Sequence, residues 1–184
     1  MSDPEFTLLG DAIWLDFINT ALTPPAPREL LHDPAAYHRW TKACKLVSDA
    51  DDVPLEEILR FRRRLLSLAQ ALDGGKQPPS SAIQAVNRIL DRTAGHHQLT
   101  RVNGAWRLRF TPTGQASAMD AIAQSAAASL ADPLVKVRRC TGDTCSFFFA
   151  DQSPNHSRRW CSRVTCGDRL RIERRRGNRI TPVV

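Results

Sequence analysis

Four cysteines near one end of the chain define its most specific chemistry. Cys140 and Cys145 enclose four residues, Cys161 and Cys166 enclose another four, and fifteen residues separate the pairs. Each pair can hold one ion from a single loop, and four soft thiolates complete a tetrahedral Zn²⁺ shell. The segment offers little core of its own beyond Phe147, Phe148, Phe149 and Trp160. Metal binding would supply the missing folding free energy, about 10–16 kcal/mol in comparable peptides. Two disulfides, or four unrelated buried thiols, are the alternatives, and the first needs an oxidising compartment. There is no C-x-x-C redox pair, and four cysteine ligands leave no open position for a catalytic water. The expectation is one structural zinc per chain, held by Cys140, Cys145, Cys161 and Cys166. Cys44 falls on an apolar helical face and reads as a small core residue. The histidines form no ligand-spaced pair, and His156 is at most a spare ligand.

Charge gathers around the same cysteines. The chain has 184 residues and a net charge of +7. Residues 136–184 carry one Lys and eleven Arg against Asp143, Asp151, Asp168 and Glu173, a net of +8, so the first 135 residues are close to neutral at −1. Arg171, Arg174 and Arg175 share one face of a helix predicted behind Cys166, flanked by Arg169 and Arg176. Arg158, Arg159 and Arg163 surround the second cysteine pair. Guanidinium groups grip phosphates and read guanine edges, so this segment suits nucleic acid. Arg159 or Arg169 could instead pair with Asp151 or Asp168 and stiffen the module.

The elements that position this module come from the hydrophobic pattern. The opening run FTLLGDAIWLDFINTAL is apolar with few breaks, so periodicity does not decide between strand and helix. Asp33-Pro34 starts a helix with Tyr37, Trp40, Cys44 and Val47 on one face. Asp51-Asp52-Val53-Pro54 opens another, with Leu55, Ile58, Leu59, Leu65, Leu66, Ala69 and Leu72 as its stripe and Gly74-Gly75 as its stop. Arg60, Arg62, Arg63 and Arg64 read as its solvated face. Ser80 or Ser81 caps a third helix carrying Ile83, Val86 and Leu90. Trp106, Leu108 and Phe110 then alternate with Arg107 and Arg109 behind Asn103-Gly104, which predicts a β-hairpin. Thr113 is expected to start an Ala-rich helix that stops at Asp132-Pro133. The fold class is α+β: a mixed first domain, residues 1–135, followed by a small zinc module, residues 136–184.

The run Phe149-x-Asp151-x-Ser153-x-Asn155, then Arg158-Arg159-Trp160-Cys161, then Cys166-Gly167-x-Arg169, resembles the CGNR zinc-finger family. LDFINT at residues 15–20, with Leu-Leu-Gly before it and the Tyr37/Trp40 helix after it, resembles the ABATE domain that precedes that finger. The resemblance implies a treble-clef finger and a bacterial, stress-linked transcription regulator. Asp168 stands where the family has Asn.

The implied partner is DNA. RNA or a protein is the alternative, since treble clefs serve both, as is a ligand-binding protein without catalysis. Asp16, Asn19 and Thr20 are candidates to line a ligand pocket, although helix capping and turn bonding are their simpler roles. No triad, phosphate loop or carboxylate pair points to an enzyme. No apolar run reaches the roughly 18 residues of a membrane span, and MSDPEFTLLGD does not read as a signal peptide, so the expected location is cytoplasmic.

Overall fold

Among the described residues, the apolar stripes become five helices around one core. The computed structural model describes residues 6–22, 28–46, 53–114 and 117–167. Helix α1 spans Ile13–Asn19, α2 Pro34–Ala43, α3 Leu55–Asp73, α4 Ser80–Leu90 and α5 Ala118–Ala131. Two separate antiparallel hairpins complete the α+β fold: β1 (Gly95–Val102) with β2 (Ala105–Pro112), and β3 (Lys136–Arg139) with β4 (Phe148–Asp151). One π-helical turn follows at Arg163–Gly167. No helix among the described residues is long and apolar enough to cross a membrane.

The opening run is helical because α1 is buried nearly all round. Trp14, Leu15, Phe17 and Ile18 are all fully buried, and a helix apolar on every side has no polar face to reveal its period. Asp33 caps α2 as expected, its carboxylate accepting from the Ala36 N–H at 2.6 Å with Pro34 in the first turn. Tyr37 and Trp40 are buried, while Val47, Asp51 and Asp52 lie outside the described residues. Along α3, the buried line is Ile58, Phe61, Leu65, Leu68 and Ala69, and Leu55, Leu59, Leu66 and Leu72 pack along its margins. Gly74 and Gly75 end that helix.

Three local expectations need correction. Arg62 does not join a solvated face: it is buried, forms a forked ion pair with Glu29 and donates to Thr20 Oγ1 at 2.7 Å. The Glu29 carboxylate lies in the loop before α2, a partner no local spacing could reveal. Helix α4 begins at Ser80 after Pro79, without a side-chain cap. Helix α5 begins at Ala118 rather than Thr113. Ser117 and Asp120 form a reciprocal capping box there, whereas the Thr113 N–H closes the base of the first hairpin on Ala94 O at 3.0 Å.

The second hairpin forms the wall between core and cysteines. Val137, Phe148 and Ala150 belong to the helical core, whereas Phe147 and Phe149 pack with Cys140, Cys145 and Cys161. Alternation along the chain sends successive residues to opposite faces, so the run from Phe147 to Ala150 serves both clusters. The free edge of β4 is closed from α1. Asn19 donates from Nδ2 to Phe148 O and accepts from Phe148 N, both at 2.9 Å. Gly10 O accepts from Ala150 N at 2.8 Å. Gly10 must be bare, because a Cβ there would stand 2.8 Å from both Asp16 N and Leu15 Cβ.

Candidate metal centre

Cys140 follows β3 directly, and its N–H donates to Phe147 O at 2.8 Å, which closes the loop holding the first cysteine pair. Within that loop, Cys145 N donates to Gly142 O at 2.9 Å. Cys161 precedes the π-helical turn and Cys166 sits on it, where Cys166 N and Gly167 N both donate to Ser162 O. Thr141 joins the two pairs, its N–H and hydroxyl both donating to Arg159 O at 3.0 and 3.1 Å.

This framework brings all four sulfurs within 4.8 Å of one another. The Cys145–Cys161 and Cys161–Cys166 Sγ separations are each 3.7 Å. A tetrahedron with Zn–S bonds of about 2.3 Å has edges of about 3.8 Å, so the donor set fits Zn²⁺. Cys140 is held well below the usual thiol range by hydrogen bonds from Cys145 and Cys161, aided by the Cys161 and Gly142 N–H groups. Cys145 is pushed up chiefly by Cys140, and Cys161 by Cys140 and Cys145. A divalent cation offsets that mutual repulsion and lets all four act as thiolates. The site is structural: four protein sulfurs close the coordination shell. Cys44 stands apart against the helical core, where burial pushes its thiol up to about 12.

The motif residues around the cysteines hold the loop. Asp151 is completely buried. It accepts from Ser153 N at 3.0 Å, Ser153 Oγ at 2.6 Å and Arg158 N at 3.2 Å. Burial alone would raise its carboxyl, but these donors and the nearby Arg138 hold it below the ordinary carboxylate range. Its cationic neighbour is therefore Arg138, with Nε at 3.9 Å, and not Arg159. His156 bonds Asp151 O through Nδ1 and stands outside the sulfur cluster.

Arg158 departs from the phosphate contact expected of it. Its guanidinium donates to Asp11, to Trp160 O and to Cys161 O, and lies 4.6 Å from the Phe149 ring centroid. It is a strut between the N-terminal segment and the finger. Arg159 and Arg163 are exposed, with Arg159 beside the Trp160 ring. Arg159 also lines an open cleft of about 860 Å³ with Lys76, Lys136, Arg138 and Arg139. Asp168, Arg169, Arg171, Arg174, Arg175 and Arg176, with the helix expected to carry them, lie outside the described residues.

Asp16, Asn19 and Thr20 adjoin a cavity of about 10 Å³, room for roughly one water. Asn19 clamps β4, Thr20 donates to Phe17 O at 2.6 Å, and Asp16 Oδ1 accepts from Gly10 N at 2.7 Å. Sequence reasoning missed the roles of Asn19 and Arg62, whose partners are distant in the chain.

Residues 11–133 match the ABATE family, described as "Putative stress-induced transcription regulator", and residues 136–179 match the CGNR zinc finger. No curated protein matches the chain. The two matches follow one another in the order that LDFINT and the paired cysteines imply, and the second encloses all four sulfurs. The chain belongs to the ABATE family and carries a CGNR zinc finger behind its helical core.

Proposed function

We propose that the chain is a cytoplasmic DNA-binding regulator in which residues 136–184 contact nucleic acid and residues 1–135 sense a ligand or dimerise. The observation that carries this reading is the net +8 on residues 136–184, the segment that holds the four-cysteine centre. A closed zinc site contributes rigidity and no reactive position, so the module's chemistry is recognition. Arg159 and Arg163 are free to meet phosphates, and Lys136 and Arg139 extend the basic surface along the adjoining cleft. Arg169, Arg171, Arg174, Arg175 and Arg176 would add the groove contacts. Arg158 is left out of the contact set because its guanidinium braces the finger.

Titration of duplex DNA at several salt concentrations tests this. With about 4–6 phosphate contacts, the log–log slope of affinity against salt is about −4 to −5. Arg159→Gln and Arg163→Gln should each flatten it by about 1. Negligible affinity at low salt sinks the proposal, and preference for RNA in competition redirects it.

A further inference from the structure

The hairpin β1–β2 exposes an apolar face that a single copy of the chain does not cover. Its register pairs His97 with Phe110, Leu99 with Leu108 and Arg101 with Trp106, so these six side chains share one face. Trp106 is 68% exposed, Leu108 66%, Leu99 64% and Phe110 39%. Among the described residues, no helix packs extensively on either strand. A two-stranded hairpin without such packing is marginal in water, and a contiguous apolar patch of this size marks an interface.

The surroundings favour a second copy as the occupant. A groove of about 510 Å³ runs between β2 and α5 at the hairpin base, lined by Leu90, Phe110, Ala127 and Ala128 and by the polar His97, Arg109 and Gln124. Trp106 lies at the other end of the strip, beside the turn. A two-fold axis that lays two hairpins antiparallel brings each Trp106 over the partner's groove. The same arrangement sends the two Arg101 side chains to opposite ends, while Arg107 stays on the outer face. With about 200 Å² for a large side chain, the exposed fractions give roughly 500 Å² per copy, or about 1,000 Å² for a pair. That is below the about 1,200 Å² at which stable interfaces begin and fits a weak, concentration-dependent pair.

We propose that the chain forms a two-fold dimer in which the β1–β2 hairpins pack face to face, each Trp106 seated in the groove between β2 and α5 of the other copy. Sedimentation of the full zinc-loaded chain, from nanomolar to high micromolar concentration, tests this. The wild type should pass from monomer to dimer. Trp106→Ser and Leu108→Ser should each raise the dissociation constant at least about tenfold, with zinc content and helical circular dichroism unchanged. Gln98→Ser, on the opposite face, should leave it unchanged. Dilution of the wild type should shift Trp emission to the red, because Trp14 and Trp40 are fully buried in either state. This readout needs no variant to fold. A monomer at every concentration, a dimer indifferent to both substitutions, or equal weakening by Gln98→Ser would overturn the proposal.

Discussion

The two hairpins of this chain invert the relation between sequence signal and burial. β1–β2 has strict alternation and an Asn-Gly turn, with both turn residues at positive φ, 51° and 81°, as the tight two-residue connection requires. It nevertheless stands with its apolar face exposed. β3–β4 has short strands and no alternation, yet Phe148–Asp151 is buried at every position. Alternation reports a strand with one wet face. A strand enclosed on both faces reads as a continuous apolar run, which is how Phe147-Phe148-Phe149-Ala150 reads. The second hairpin is shaped by what lies on either side of it, the helices and the metal centre.

Metal removal tests that difference most severely. A boundary between residues 135 and 136 implies helices that survive loss of the finger, but Val137, Phe148 and Ala150 lie in the helical core. Chelation, or Cys145→Ser or Cys161→Ser, should release zinc and collapse the finger, withdrawing binding free energy of about 10 kcal/mol or more. It should also lower the melting temperature of the helices, read at 222 nm beside zinc analysis. A helical transition unmoved by zinc loss would show that β4 is no shared wall.

Within the wall, Phe148→Ala should cost about 3–5 kcal/mol in chemical denaturation, the usual range for a buried aromatic. Asn19→Ala should cost about 1–3 kcal/mol, because it strands the Phe148 N–H and C=O at a buried edge. Equal stability of Asn19→Ala and wild type would mean that water takes over the amide's place.

The contrast also shows what could be read from the sequence. The zinc ligands were legible because each pair lies within one loop, and spacing alone defines it. The α2 cap and the Asn-Gly turn were legible for the same reason, since each is settled within a few residues. The Arg62–Glu29 pair, the clamp from Asn19 to β4 and the strut from Arg158 to Asp11 were not, because their partners meet only in the folded chain. The α5 start was misplaced because Thr113 is an acceptable cap in isolation, and only the Ser117–Asp120 box outcompetes it.

Asp16 gives a smaller, pH-dependent test of the clamped edge. Burial pushes its carboxyl up to about 6, against hydrogen bonds from the Gly10 and Leu9 N–H groups. Between about pH 4 and 6 the folded chain therefore holds a proton that the unfolded chain has released. This group's contribution to stability falls as pH rises through that window. Asp151 has the opposite sign, being held low, so its contribution disappears only as pH falls below the ordinary carboxylate range. Unfolding free energies of wild type and Asp16→Asn should converge toward pH 4 and separate toward pH 6, with the wild type losing ground. Parallel curves would place the Asp16 carboxyl in water.

The smallest effect is expected in the exposed hairpin. Leu108→Thr, measured where the chain is monomeric, should change stability by no more than about 0.5 kcal/mol, as surface substitutions do. Thr brings the β-branched shape that strands favour, and Leu108 is 66% exposed, so the monomer has little burial to lose. Phe148→Ala provides the opposite case, a strand residue only 3% exposed. The ratio of the two effects measures how far burial, rather than strand geometry, separates the hairpins. A cost for Leu108→Thr approaching that of Phe148→Ala in the dilute monomer would mean that another part of the same chain covers the strip, and the contrast between the hairpins would be lost.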